Sequence, residues 1–235
     1  MNLFTDRRHA GRVLAAALSK YAERNDIVVL ALPRGGVPVA YEVTRGLGAP
    51  LDVFVVRRLG VPGHEELAMG ALASGGLCVL NQDVVRSFGI TKEDIFEAAR
   101  TQKQELGRRD RAYRGDRAPV DISRKTAILI DDGLATGSTM RAAIRALRQR
   151  NPARVVAAVP VAAREACCEM SDEADEMVCA VTPEPFRAVG LWYDDFSQTT
   201  DDEVQALLAA ARLEHQRREL LDAAAARQAE RLGAF

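Results

Sequence analysis

The chain has 235 residues, with 32 Lys and Arg against 33 Asp and Glu and a formal net charge of -1. Apolar residues make up 48% and charged residues 28%, the balance of an ordinary globular chain, which excludes disorder for most of its length. Near-neutral charge argues against a general nucleic-acid binder, which carries a basic excess. No uncharged apolar stretch reaches the roughly 18 residues of a membrane span. The opening residues, Met1 to Asp6, lack the apolar core of a signal peptide, so a cytoplasmic protein is expected. The four cysteines, Cys78, Cys167, Cys168 and Cys179, show no CxxC spacing. Adjacent Cys167 and Cys168 are badly placed to bridge each other, and all four read as reduced thiols. His9, His64 and His215 are scattered, which argues against structural zinc.

In chain order, Thr5 or Asp6 can cap a helix to about Tyr21, with Val13, Leu14, Ala17, Leu18 and Tyr21 on one face. Ile27 to Leu32 is a continuous apolar run, as in a strand buried on both faces. It breaks at Pro33-Arg34-Gly35-Gly36, and a helix follows to Gly46 or Gly48. Leu51 to Val56 reads as the next strand, with Arg57-Arg58 at its C-terminal end. Residues 59–76 are glycine-rich and read as a mobile loop or loose hairpin, followed by a short strand at Leu77 to Leu80. Thr91 and Asp94 form a capping box for a long polar helix to about Tyr113. Strands at Thr126 to Ile130, Val155 to Val161 and Glu176 to Val181 alternate with helices ending near Arg150 and Met170. A long helix starts at Asp201, amphipathic in its first half and polar in its second. Alternating strands and helices predict an α/β fold with a mainly parallel sheet. No linker splits the chain, so one domain over 1–235 is expected, with a core of about 27–195 and a helix at each end.

The sharpest chemical signal follows the strand at 126–130: Asp131-Asp132-Gly133-Leu134-Ala135-Thr136-Gly137-Ser138-Thr139. In open α/β sheets ligands sit beyond the carboxyl ends of the strands. The helix N-terminus that follows offers free N–H groups and partial positive charge to a phosphate. Thr136, Ser138 and Thr139 add hydroxyls, and Gly137 permits close backbone approach. The two carboxylates would repel a phosphate but suit a neighbouring diol. The loop therefore reads as a cradle for ribose 5-phosphate. A Walker A lysine, a GxGxxG turn and a GxSxG elbow are all absent here.

These residues resemble the signature that binds 5-phosphoribosyl 1-diphosphate (PRPP) in type I phosphoribosyltransferases, and most closely its adenine-type version. The order of elements from about residue 27 to about residue 195 agrees with that family. The resemblance implies an α/β core with a parallel sheet flanked by helices and a small hood. It implies a phosphoribosyl transfer between PRPP and a nitrogenous base, with release or uptake of pyrophosphate and Mg2+ as cofactor. Asp131, Asp132, Ala135, Thr136, Gly137, Ser138 and Thr139 would bind PRPP, with Pro33, Arg34, Gly35 and Gly36 as the pyrophosphate loop. A strained or cis peptide is expected at Arg34-Gly35. Arg57 and Arg58 would balance the leaving group. Glu65 and Glu66 would be the available general bases, because Ala135 stands where hypoxanthine-type members carry the proton-moving Asp.

A second, shorter resemblance runs from Ala188 to Phe196 and is similar to the purine-holding segment of hypoxanthine-guanine members, with Arg187 where they stack an aromatic ring. It implies Arg187, Ala188 and Trp192 at the base, and Asp194 at the metal beside Asp131 and Asp132. Expected partners are PRPP or a nucleoside monophosphate, pyrophosphate and a nucleobase, with no nucleic acid and no membrane. Family members are often dimers, and the Ala-rich C-terminal helix could serve a homodimer. The alternative reading is a non-catalytic sensor of PRPP or a nucleotide, which keeps the binding loop without the chemistry.

Overall fold

The computed structural model describes residues 3–232, so Met1 and Asn2 of the predicted leaderless opening lie outside the described residues. Helix α1 (Arg7–Ala17) starts on Asp6, whose carboxylate accepts the His9 N–H at 2.6 Å. A 3-10 turn at Ser19–Tyr21 carries the expected helix to its end. Strand β1 (Ile27–Ala31) leads into α2 (Gly36–Leu47), which Gly48 closes with a φ of 74°. Then come β2 (Leu51–Val53), β3 (Val56–Val61), β4 (His64–Ala73), β5 (Leu77–Leu80), α3 (Gln82–Ser87) and α4 (Lys92–Arg114). The predicted capping box at Thr91 and Asp94 opens α4. The rest is β6 (Thr126–Ile130), α5 (Ser138–Arg148), β7 (Arg154–Val161), α6 (Arg164–Ser171), β8 (Glu176–Val181) and α7 (Asp201–Leu232).

Five strands form one parallel sheet in the order β2-β1-β6-β7-β8. The register sets Ala31 of β1 opposite Ile130 of β6, so both strands end at the same level. From β1 the chain steps outward to β2, and from β6 outward the other way, which makes the β1–β6 junction the switch point where α/β sheets bind ligands. Successive residues of each strand face opposite sides. Val29, Ala31, Ile128 and Ile130 pack with Leu14, Val39, Val43, Val204 and Leu208 on one face. Val28, Leu30, Ala127 and Leu129 pack with Met140, Ile144, Leu147 and Met170 on the other. Two buried faces explain the uninterrupted apolar runs. Among the described residues, no helix is long and apolar enough to cross a membrane.

The structure corrects three expectations. The strand from Leu51 ends at Val53, and Arg57 and Arg58 lie inside β3, in a separate antiparallel sheet of order β3-β4-β5. The reason is a transfer of pairing. The Phe54 N–H still donates to the Ala31 carbonyl, but the Val55 N–H donates to Ser74 Oγ and the Ser74 N–H to the Val55 carbonyl. The glycine-rich stretch 59–76 takes the hairpin form of its two expected alternatives, turning at Pro62-Gly63 and continuing into β5.

The cysteines are the second correction. Cys167 and Cys179 form a disulfide, while Cys78 and Cys168 are free and exposed. Packing α6 on β8 brings the two α-carbons to 6.7 Å, within disulfide reach. Adjacency ruled out only the Cys167–Cys168 pair. The cysteine argument for a reducing compartment falls with it.

The third concerns the pyrophosphate loop. The cis peptide lies at Pro33-Arg34, one bond before the expected position. Gly35 already has helical dihedrals, and the Gly36 and Val37 N–H groups donate to the Leu32 and Arg34 carbonyls. The Arg34-Gly35 bond thus lies in the turn that leads into α2, just before its N-cap Gly35.

Candidate functional site

The register of β1 and β6 sets Pro33–Gly36 beside Asp131–Thr139 at the carboxyl edge of the sheet. The two loops touch through glycines. A Cβ on Gly35 would stand 1.9 Å from Asp132 Oδ2, and one on Gly36 would stand 2.7 Å from the Ile130 carbonyl oxygen and 3.0 Å from Asp131 Cα. Gly36→Ala has no flexible neighbour to displace, so the two backbones must separate. We expect it to cost about 1–3 kcal/mol of stability. A thermal melt of the variant against the parent checks this.

Within the second loop, Leu134 is tied to the sheet: its N–H donates to the Val161 carbonyl and its own carbonyl accepts the Ala163 N–H. Gly137 then turns with a φ of 70° and caps α5, whose first residues are Ser138 and Thr139. The αL conformation there favours glycine. Met170 of α6 packs beneath it, 3.2 Å from where a Cβ would be. Ala135, Thr136, Ser138 and Thr139 are exposed on the outer side of this turn, with Thr136 Oγ1 and Ser138 Oγ 3.1 Å apart. Exposed hydroxyls around a helix N-terminus form an anion cradle.

The acid pair is wired asymmetrically. Asp131 Oδ1 accepts the Asp132 N–H at 2.9 Å, and Asp132 Oδ2 accepts Arg7 Nε at 2.9 Å. One oxygen of each carboxylate, Asp131 Oδ2 and Asp132 Oδ1, has no hydrogen-bond partner among the described residues. Burial pushes the Asp131 carboxyl well above the usual range, and the charge of Asp132 adds to the rise. Burial also raises Asp132, though the charge and hydrogen bond of Arg7 oppose it. The site is short of donors and of positive charge, and a diol or a cation would supply them.

Arg34 pairs with the start of α7, its guanidinium 3.6 Å from Asp201, and Asp201 also accepts the Tyr113 hydroxyl at 2.7 Å. On the hairpin, Arg57 Nε donates to Gln102 Oε1 of α4 at 2.9 Å, and Arg58 is exposed. Neighbouring residues on a strand face opposite ways, and Glu65 and Glu66 divide accordingly. Glu65 lines an 800 Å³ cleft with Arg57, Arg58, Asp94, Glu97 and Thr139. Glu66 lines a 280 Å³ cleft with Arg58, Ser138, Arg141 and Arg145. Arg58 borders both. The hairpin therefore brings the predicted arginines and acids to the rim of the phosphate cradle, although none of them touches the acid pair.

The segment after β8 is less concentrated. Arg187, Ala188 and Asp194 are exposed, and Trp192 stacks on Phe186 with ring centroids 6.3 Å apart. Trp192 Nε1 is buried without a hydrogen-bond partner. Among the described residues no three Asp, Glu, His or Cys side chains converge as a metal cluster, so Asp194 does not join Asp131 and Asp132 in one. Arg7 is the site residue that motif reading missed. Its only sequence signal is an arginine in the first turn of a helix whose first turn holds no acid, against the usual preference.

At the switch point of the sheet, a hydroxyl-rich helix N-terminus, two half-free carboxylates and a glycine-lined loop thus share one edge. The phosphoribosyl transferase domain model matches residues 5–191, and the chain belongs to that family. A Mycobacterium tuberculosis H37Rv protein, provisionally assigned as a phosphoribosyl transferase, is 45% identical over 225 residues. That match covers 96% of this chain and 51% of the other, so the chain spans about half the length of the curated relatives it matches. A crystal structure of a Thermus thermophilus protein is 43% identical with a TM-score of 0.80, covering 88% of this chain and 98% of that one. A Nocardioides uracil phosphoribosyltransferase matches locally, 37% identical over 67 residues, 28% of this chain and 32% of that one. The fold is that of the type I phosphoribosyltransferases.

Proposed function

We propose that the chain moves 5-phosphoribose between PRPP and a nitrogenous base, with release or uptake of pyrophosphate. The observation that carries this reading is the pair of free carboxylate oxygens, Asp131 Oδ2 and Asp132 Oδ1, beside a hydroxyl-rich helix N-terminus. Two adjacent acceptors match the vicinal hydroxyls of a ribose. Thr136, Ser138 and Thr139 then take the 5-phosphate, together with the first N–H groups of α5. The diphosphate lies on Pro33–Gly36, with Arg34 held nearby by Asp201.

Mg2+ fits this donor set, because it takes one or two carboxylates plus substrate oxygens. Asp131 and Asp132 would hold it, and when bound it would neutralise the diphosphate. The chain's own work is positioning and electrostatics. As the bond between the anomeric carbon and pyrophosphate breaks, positive charge develops on the ribose, and the two carboxylates face that charge. Arg57 and Arg58 border the path of the departing pyrophosphate. Glu65 and Glu66, on opposite faces of the hairpin, are the carboxylates available to take a proton from the base. The base itself would rest near Arg187, Ala188 and the Trp192–Phe186 pair. The adenine-type character of the acid loop and the local similarity to a uracil enzyme put both kinds of base in the test panel.

The test measures pyrophosphate released from PRPP with Mg2+ across purines and pyrimidines. Release with one base class establishes the transfer. PRPP binding without release from any base would replace this reading with the sensor. No PRPP binding at all would overturn the transfer and leave of the alternative only a sensor of a nucleotide.

A further inference from the structure

We infer that Arg7, carried on a helix outside the parallel sheet, is a positioning residue that fixes the orientation of Asp132; the inference rests on the ribose reading above. Its side chain is only 12% exposed. The guanidinium lies 3.9 Å from the centroid of the Phe196 ring. From there Nε donates to Asp132 Oδ2 at 2.9 Å and an η nitrogen donates to the Ser197 carbonyl at 2.6 Å. One side chain thus joins the first helix, the acid loop and the segment after β8.

Asp132 is held at both ends. Its backbone carbonyl accepts the Tyr193 hydroxyl, and Tyr193 packs on Phe196 with centroids 5.0 Å apart. Its carboxylate has Arg7 as its one side-chain partner among the described residues. Asp131 differs, because the neighbouring amide already holds it. Remove Arg7, and Asp132 Oδ1 is free to turn away from the place where a diol would meet it. The asymmetry explains why a cation is placed here at all. Arginine in the first turn opposes the helix dipole, and Asp6 sets where that turn begins.

The geometry also asks for arginine. Two acceptors lie in different directions, and an aromatic face lies against the guanidinium plane. A planar fork serves all three at once, whereas an ammonium is a point charge.

The test uses Arg7→Met, Arg7→Lys and Asp132→Asn, with Arg12→Met as a control on an exposed position of the same helix. Each is titrated with PRPP in Mg2+ and, separately, with inorganic pyrophosphate. Losing a charge-assisted hydrogen bond should weaken PRPP about tenfold or more in Arg7→Met. Pyrophosphate affinity measured without Mg2+, which uses neither the ribose contact nor a metal on Asp132, should stay within about twofold. Arg7→Lys should recover part of the loss, and Arg12→Met should match the parent. The inference fails if Arg7→Met binds PRPP as the parent does while Asp132→Asn does not. It fails equally if both ligands weaken together with a lowered melting temperature, because Arg7 is then merely structural. If the parent protein itself does not bind PRPP, the ribose reading falls and takes this inference with it.

Discussion

On the proposed transfer of 5-phosphoribose, replacing Asp131 and Asp132 together by Asn should weaken PRPP by about a hundredfold or more in affinity. Two charge-assisted acceptors disappear, each worth about 1.5–3 kcal/mol. The fold survives because both side chains sit at the edge of the sheet, beyond the last buried residue of β6. An unchanged calorimetric titration with PRPP would sink the site assignment. Asp131→Asn alone carries a second expectation: the ligand-free protein becomes more stable. The folded-state pKa of Asp131 is raised, so the native state takes up a proton more readily than the unfolded chain does. Such a group contributes its stabilisation below the unfolded value near 4, and that contribution is lost as pH rises through the raised folded value. At neutral pH folding therefore works against the carboxylate charge, which burial and Asp132 both oppose. Asparagine keeps the Oδ1 that accepts the Asp132 N–H and removes the charge. A rise in melting temperature of about 3 °C at neutral pH is expected, roughly the effect of 1 kcal/mol in a chain of this size. The difference between the two proteins should shrink as pH falls. A site built for a ligand at the expense of stability behaves this way.

The second large effect is structural. Arg114 is 6% exposed at the end of α4 and makes four contacts inward. Its Nε donates to both oxygens of Asp52, at 3.0 and 3.1 Å, and its η nitrogens donate to Asp110 and to the Val53 carbonyl. Asp52 also accepts the Val120 N–H, and Asp110 accepts the buried Ser74 hydroxyl. Ser74 holds the Val55 N–H at the point where pairing passes from the parallel sheet to the hairpin. Arg114→Met strands two acids in this network. Breaking a buried pair costs about 3–5 kcal/mol, so the melting temperature should fall by roughly 10 °C. Adding Asp52→Asn and Asp110→Asn should return part of that loss. A melting temperature unchanged in Arg114→Met would show that the network is not holding α4 to the sheet.

Much of the site was legible in the chain because its signals are local. An apolar strand, two carboxylates, a glycine and three hydroxyls follow one another within 14 residues, from 126 to 139, and the structure keeps them on one strand-turn-helix unit. The caps at Asp6 and Thr91 were legible for the same reason, since each is decided by residues within a turn. Arg57 and Arg58 were found but misplaced. The hydrogen bonds that move them into a hairpin run between Val55 and Ser74, and no local pattern announces that pairing.

By itself the sequence determined the α/β class, the family, the acid loop and the alternation of strands and helices in the parallel-sheet core, because periodicity, caps and a contiguous motif are short-range properties. The tertiary structure alone decided which loops meet. It set β1 beside β6, brought Gly35 and Gly36 against the acids, joined Cys167 to Cys179 and swung Arg7 onto Asp132. Each of these is a contact between distant parts of the chain, or in the cysteine case between a helix and the strand it packs on. Such contacts follow from how elements bury their apolar faces together, and that packing is a property of the whole core rather than of any one segment. The near-neutral charge of the chain shows the same division. The count is set by composition, but only the fold places Arg7 on Asp132 and Arg34 on Asp201.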